Sequence, residues 1–487
     1  MIPEISSSNE DATSIDCDAL VVGAFSENGT SSLDDAGRAI DSSSNGEIAK
    51  HLASLGFRAK PGEVIVVPTF GRSPARAVAI VGLGPRSSVD TSLIRRGAGA
   101  AIRRLGDSVE VASALGTGVP GGPAAAAEGF FLGAYEFATY KKAGRKHKTR
   151  KVVLLGSDAA EAKRASIRAD ATAFARDLIN EPPSELSPRV LAERTAERAQ
   201  AAGVAFSALD ETQLADQGFG GILGVSRGSA EPPRLIRLHH AREGAKRKIV
   251  LVGKGVTFDS GGLSLKDPKS METMKTDMGG AAAVIAAVIA AAELDLDVDV
   301  VGLTPATENM PGSRAIKPGD VIKHYSGQTT EVVNTDSEGR LILADVLAHA
   351  SESRPDAIVD AATLTGSIQV ALGKKAAGVF ATDDGLADGL IDAGERAGER
   401  LWRMPLYEDY LSELDSEVAD HKNSGSRWGG AIIAAMFLKT FVGDGIPWAH
   451  LDIAGAARAD ADRDEISRGG TGFVTRTLIE WLGSQAS

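Results

Sequence analysis

The chain has 487 residues, 43% hydrophobic and 24% charged, with a formal net charge of −12. That is a soluble globular composition with enough length for two domains rather than one core. A pI of about 5.3 argues against a chain-wide nucleic-acid binder, and the single cysteine, Cys17, excludes an intrachain disulfide and fits a reducing cytoplasm.

The first segment, MIPEISSSNEDATSIDC, is acidic and lacks the apolar stretch of a signal peptide. After it, residues 18–25, 63–70, 77–84, 109–116 and 151–157 read as strands separated by helical patterns, the rhythm of an α/β domain. A long helical pattern at 159–179 stops at Asn180-Glu181-Pro182-Pro183, because paired prolines end a helix. The reading is an N-terminal α/β domain at 1–158, a linker helix at 159–183 and a second α/β domain at 184–487. In the second domain, 247–253, 297–303, 356–362, 378–382 and 449–455 read as buried strands. Helices are expected at 279–293, 338–352, 385–399, 428–442 and 472–484. The longest apolar run, Ala281 to Ala292, is too short to cross a bilayer and reads as a buried helix, so no membrane partner is expected.

Four local patterns invite over-reading. Gly116-Thr117-Gly118-Val119-Pro120-Gly121 matches G-x-G-x-x-G, but the acid at a suitable distance, Glu136, lies in a helical pattern and not at a strand end; a Gly/Pro turn is the better reading. Gly224-Val225-Ser226-Arg227-Gly228 matches G-x-S-x-G, yet no strand precedes it and Pro232-Pro233 follow, so Ser226 is not assigned as a nucleophile. The basic run 141–151 has no interleaved aromatic and reads as a solvated linker before contact with DNA is considered. His239 and His240 end a strand-like run and read as non-ligands.

The chemistry concentrates in two segments of the second domain. In GKGVTFDSGGLSLKDPKSMETMKTDMGGAAAV, Lys254 follows a strand, where open α/β sheets bind ligands. Asp259 comes next, beside a Ser-Gly-Gly turn, and Asp277 precedes the helix at 279. In NTDSEGRL, Asp336 and Glu338 stand between the strand-like TTEVVN and a helix. Each acid viewed alone also suits a helix cap or first-turn position. Together, four acids at the strand-to-helix junctions of one domain repel unless they are neutralised, and two divalent cations about 3.5–4 Å apart, bridged by carboxylates, would do so. Oxygen-dominated ligation suits Mg²⁺ or Mn²⁺ and admits Zn²⁺. The acids alone also admit a two-metal phosphoesterase.

NTDSEGRL resembles the signature N-T-D-A-E-G-R-L of the leucyl (cytosol) aminopeptidase family, with Ser337 in place of Ala. GKGVTFDSGG, SLK, KTDMGGAA, DAATLTG and HLDIAG extend the resemblance over roughly residues 170–487; the N-terminal domain is similar in rhythm only. The resemblance implies a larger C-terminal α/β catalytic domain with a central mixed sheet flanked by helices. It implies two divalent ions per subunit, Mn²⁺ or Zn²⁺, with Lys254, Asp259, Asp277 and Glu338 holding one and Asp259, Asp336 and Glu338 the other. Lys266 and Arg340 match the catalytic pair: Lys266 polarising the substrate carbonyl, Arg340 holding a bicarbonate that serves as general base. Met274, Thr363, Leu364, Gly366, Ala454 and Ala457 match the substrate-binding positions. The implied activity is a cytoplasmic exopeptidase that removes N-terminal leucine and similar residues from peptides through a metal-bridging hydroxide. A homohexamer is implied, and in some bacterial members an additional DNA-binding role. Ser337 would add a hydroxyl beside the bicarbonate site without disturbing the metal ligands.

Overall fold

The computed structural model describes residues 3–27, 29–144 and 147–486. The chain divides into two compact units, Met1–Ala173 with Ala459–Arg468, and Phe174–Arg458 with Gly469–Ser487. The crossing lies inside the continuous helix Ala159–Asn180.

The first unit holds a sheet built from β1 (Glu4–Ser8), β2 (Ala19–Glu27), β3 (Thr30–Leu33), β4 (Val64–Pro68), β5 (Ala77–Gly82), β6 (Glu110–Ser113) and β7 (Lys151–Leu155). Its order is β1-β7-β6-β2-β5-β4, with β3 beside β2. The β2–β3 and β4–β5 pairings are antiparallel and the others parallel. β1 was not expected: its EISSS residues are polar, and pairing with β7 makes them a strand. The late loop 459–468 is locked into this unit by Arg103, whose Nε donates to the Asp464 carbonyl at 2.7 Å and whose Nη2 donates to Ser467 Oγ at 3.0 Å.

The Gly116–Gly121 motif is a turn. All three of its glycines have φ between 70° and 84°, a region that side chains with a Cβ rarely enter. The helix after it ends at Gly133, short of the expected pattern, so Glu136 lies in irregular backbone beyond it. In the basic run, Arg145 and Lys146 lie outside the described residues; the exposed Lys141 pairs with the largely covered Glu136, and Lys148 with the exposed Asp107.

The second unit is built on β8 (Ala205–Leu209), β9 (Arg234–His240), β10 (Lys248–Gly253), β11 (Gly255–Asp259), β12 (Asp299–Asn309), β13 (Val321–Lys323), β14 (Thr329–Glu331), β15 (Ala357–Ala362), β16 (Ala377–Ala381), β17 (Leu401–Arg403), β18 (His421–Lys422) and β19 (Trp448–Asp452). The main sheet runs β17-β16-β19-β15-β10-β12-β9-β8, with β11 beside β12, while β13, β14 and β18 form a separate small sheet. β19, β15, β10 and β12 run parallel; β9 and β16 pair with their inner neighbours antiparallel, so the sheet is mixed. The parallel strands are mostly apolar and buried because both faces are covered, with Asp360, His450 and Asp452 as buried polar exceptions.

The helix Gly279–Glu293 carries almost only Ala, Val, Ile and Gly and is buried all round, the pattern of an internal helix rather than an amphipathic one. It packs against β10, β12, β15 and the helix Thr475–Gln485. Among the described residues one stretch, Met274–Glu293, is long and apolar enough to cross a membrane, and 89% of it is buried in the protein. Gly280 permits the fit: a Cβ there would come within 1.9 Å of the Ala361 carbonyl oxygen. The helix Glu338–Glu352 also packs against β10, β12 and β15, and against the helices Gly220–Ser226 and Gly430–Lys439. Ser226 ends a helix and its Oγ donates to the Leu223 carbonyl, so the G-x-S-x-G match is no strand-to-helix elbow. His239 faces Asp299 and His240 the Leu296 carbonyl, both on the antiparallel side of the sheet.

Candidate active site

The carboxyl ends of the parallel strands meet at one edge of the main sheet, the general ligand position of open α/β folds. Lys254 follows β10, Asp259 ends β11, Thr363 to Thr365 follow β15, and Ala454 lies just past β19. The expectation that all four acids stand at strand-to-helix junctions needs correction. Asp277 emerges from a short 3-10 turn, Met274–Thr276, and β14 before Asp336 belongs to the small sheet. These two segments reach the site as turns laid against the strand ends.

Neither Asp277 nor Asp336 is the N-cap of a helix, while Glu338 does stand in the first turn of its helix. The helix at 279 is capped from Met278 and that at 338 from Ser337, neither with a side-chain cap bond. Instead the carboxylates face lysines. Lys254 Nζ lies 2.8 Å from Asp277 Oδ2 and 2.9 Å from Glu338 Oε1, and donates to the Thr363 carbonyl at 3.0 Å. Lys266 Nζ lies 2.7 Å from Asp259 Oδ2 and 2.5 Å from Asp336 Oδ1. Four acids and two lysines therefore share one site, and all but Lys266 and Asp336 are buried.

Burial sets the electrostatics. It pushes the Asp259 carboxyl up to about 6, with Glu338 adding to the rise and the two lysines opposing it. Burial likewise holds Asp277 well above the usual carboxylate range, against the pull of Lys254. Glu338 goes the other way: burial would raise it, but Lys254 and Lys266 together bring it below its ordinary value. Burial would lower both lysines, and the surrounding carboxylates overcome it and raise them.

Arg340, the third residue of its helix, is buried and donates through Nη1 to the Asn423 carbonyl at 2.7 Å. Its Nε has no hydrogen-bond partner. Burial pushes the guanidinium down to about 10, with Glu338 and Asp452 opposing. Ser337 presents its carbonyl to Asn423 Nδ2 at 3.4 Å, and its hydroxyl caps nothing. Ser337→Ala is therefore expected to shift stability by less than about 0.5 kcal/mol and to leave turnover within twofold, measured by thermal unfolding and steady-state kinetics.

Of the substrate-binding candidates, Thr363 is tied to the acids: its Oγ1 donates to Asp277 Oδ1 at 2.7 Å. Ala457 lies on the same side, since a Cβ at Gly279 would meet Ala457 Cβ at 3.5 Å and Thr363 Cγ2 at 3.7 Å. Leu364 and Ala454 both pack against the main apolar core. Met274 is half-buried on its 3-10 turn, where its carbonyl accepts from Asp277 N at 3.3 Å, and Gly366 is exposed at the start of the helix Gly366–Leu372.

Three buried residues of the site escaped the sequence reading. Asp452 receives Leu364 N at 3.2 Å and Thr365 Oγ1 at 2.7 Å, anchoring the loop after β15. Asn423 accepts from Val333 N at 2.9 Å and donates to the Asn334 carbonyl at 2.6 Å, holding the NTDS turn. Asn309 donates to Asp259 Oδ1. Asp452 lies within the quoted HLDIAG and was available as a buried acid at a strand end; the two asparagines carry no local signal.

The site fits a divalent cation. Ligand oxygens of Asp259, Asp336 and Glu338 lie within 4.8 Å of one another, an all-oxygen set suited to a hard divalent ion. The acids outnumber the lysines beside them, and burial disfavours the charge of Asp259 and Asp277, so added positive charge is favourable there.

Residues 173–479 match the catalytic domain of the cytosol aminopeptidase family, and residues 21–144 match that family's N-terminal domain. A relative from Streptomyces avermitilis, named "Probable cytosol aminopeptidase", is 45% identical, with 96% of each chain covered. Among solved structures, the bottromycin maturation enzyme BotP in complex with Mn is 39% identical with a TM-score of 0.88, covering 97% of this chain and 100% of its own. A mutant tomato leucine aminopeptidase is 33% identical with a TM-score of 0.89, covering 99% of this chain and 97% of its own. The matches span both units at high identity, and the chain belongs to the cytosol aminopeptidase family.

Proposed function

We propose that this chain is a metal-dependent exopeptidase that releases leucine and similar apolar residues from the N-termini of peptides in intracellular turnover. The largely buried cluster of Asp259, Asp277, Asp336 and Glu338 with Lys254 and Lys266, within the family's catalytic domain, carries this reading. The four acids, with Lys254 as a neutral amine, would hold two divalent ions, and the manganese in BotP's description makes Mn²⁺ the first candidate and Zn²⁺ the second. Such ions supply Lewis acidity toward a carbonyl and acidify bound water.

The chain's own groups do the rest. Lys266 is kept protonated by Asp259 and Asp336. It offers a positive charge to a carbonyl oxygen that becomes an oxyanion. Arg340, buried with its Nε open, suits a small anion such as bicarbonate, placed to take and return a proton. Asp277 bears on the substrate's free α-amine, which limits cleavage to the first residue. Thr363 and Ala457, both small, would line the place of an apolar side chain.

Hydrolysis of leucine p-nitroanilide tests this. Activity is expected to vanish on chelation and to return with Mn²⁺ or Zn²⁺, and the N-acetylated substrate should be inert. Turnover that survives chelation, or equal cleavage of the acetylated substrate, overturns the proposal.

A further inference from the structure

Asn309 is the last residue of β12 and stands opposite Asp259 in the β11–β12 pairing. It is buried. Its Nδ2 donates to Asp259 Oδ1 at 2.9 Å and to the Thr335 carbonyl at 2.9 Å, and lies 3.5 Å from Glu338 Oε2. One amide group thus meets the strand acid, the segment leading to Asp336, and the helix acid. All three neighbours are acceptors, so chemistry fixes the side of the amide that faces them. The opposite side is closely approached: a Cβ on Gly262, whose φ is +64°, would come within 2.8 Å of Asn309 Oδ1. The backbone completes the lock, because the Asn309 carbonyl accepts from both Ser260 N at 3.0 Å and Ser260 Oγ at 2.7 Å.

Asp259 spends Oδ1 on Asn309 and on Gly261 N at 2.8 Å, leaving Oδ2 toward Lys266. Glu338 turns Oε1 to Lys254 and Oε2 toward Asn309. Asn309 thus bears on both carboxylates as a neutral donor, alongside Gly261 N and Lys266 at Asp259 and Lys254 at Glu338. A lysine in that position would add charge and compete with a cation; an asparagine orients the acids without cancelling them.

We infer that Asn309 is a positioning residue for divalent-cation binding, setting which oxygens of Asp259 and Glu338 face the ion. This rests on the proposed metal site. Residues that orient metal ligands typically contribute about 10–100-fold in affinity.

The test is isothermal titration of chelator-stripped protein with Mn²⁺, for wild type, Asn309→Ala and Asn309→Ser, together with the electron paramagnetic resonance spectrum of the bound Mn²⁺. Asn309→Ala is expected to weaken Mn²⁺ binding about 10–100-fold and to alter the spectrum. Asn309→Ser, which keeps a shorter donor, should lose less and serves as the deciding variant if the alanine protein does not fold. A drop in melting temperature with unchanged Mn²⁺ affinity and spectrum in either folded variant overturns the inference and leaves the metal site standing. Failure of the wild type to bind Mn²⁺ overturns the metal site, and this inference with it.

Discussion

Glu338→Gln is expected to lower kcat/KM for leucine p-nitroanilide by about a thousandfold, because Lewis-acid assistance is worth several kcal/mol and each 1.36 kcal/mol is a factor of ten. Glutamine keeps the volume of the side chain and removes its charge. Glu338 is buried, lies 2.9 Å from Lys254 and approaches Asn309. It is also the acid that the two lysines hold in its ionised form, whereas burial pushes Asp259 and Asp277 the other way. Losing it deprives the site of its most readily charged ligand. Lys254 retains Asp277 and the Thr363 carbonyl, so the fold should lose only about 1–3 kcal/mol. Steady-state kinetics and urea unfolding separate the two effects. A loss of less than tenfold in kcat/KM would remove Glu338 from the metal set.

The second large effect comes from the glycine in the same segment. Gly339 lies in the first turn of the helix Glu338–Glu352, where alanine normally stabilises by about 0.5–1 kcal/mol. Here the sign on function reverses. A Cβ at this position would come within 2.5 Å of Lys254 Cε and 2.7 Å of Lys254 Nζ. The lysine is buried between Asp277 and Glu338, so it moves only by giving up those contacts. Gly339→Ala should therefore melt at or moderately below wild type, as about 0.5–1 kcal/mol of helix gain offsets only part of about 1–3 kcal/mol of overpacking. It should lose about a hundredfold in kcat, the scale of a misplacement near 1 Å. Unchanged kcat would show that the position of Lys254 does not matter.

Much of the fold was legible because its signals are local. The helices at 279–293 and 338–352 announce themselves by an unbroken apolar run and by an acid-rich start followed by Leu, Ile and Val. The buried parallel strands do so by continuous aliphatic residues. Four acids and two lysines that the structure brings together also stood in two short segments. What could not be read depends on distant partners. β14 looks like any strand, and only its pairing with β13 and β18 separates it from the main sheet. Asn423 is an ordinary polar residue until the fold sets it against Val333, Asn334 and Arg340, some 80–90 positions away. The loop 459–468 carries no mark of belonging to the first unit, because its anchor is the carbonyl and hydroxyl contact with Arg103.

The two lysines have a consequence for the life history of the protein. Many small metal-binding domains fold only when their ion arrives, since their ligands have nothing else to hold them. In this chain the acids come with their own counter-charges, Lys254 for Asp277 and Glu338, and Lys266 for Asp259 and Asp336. Synthesis and loading are thereby separate events, and the chelated protein should show an intact cooperative melt by circular dichroism. A chain built this way is expected to reach its folded form before any ion binds, the lysines holding the acids in place until then.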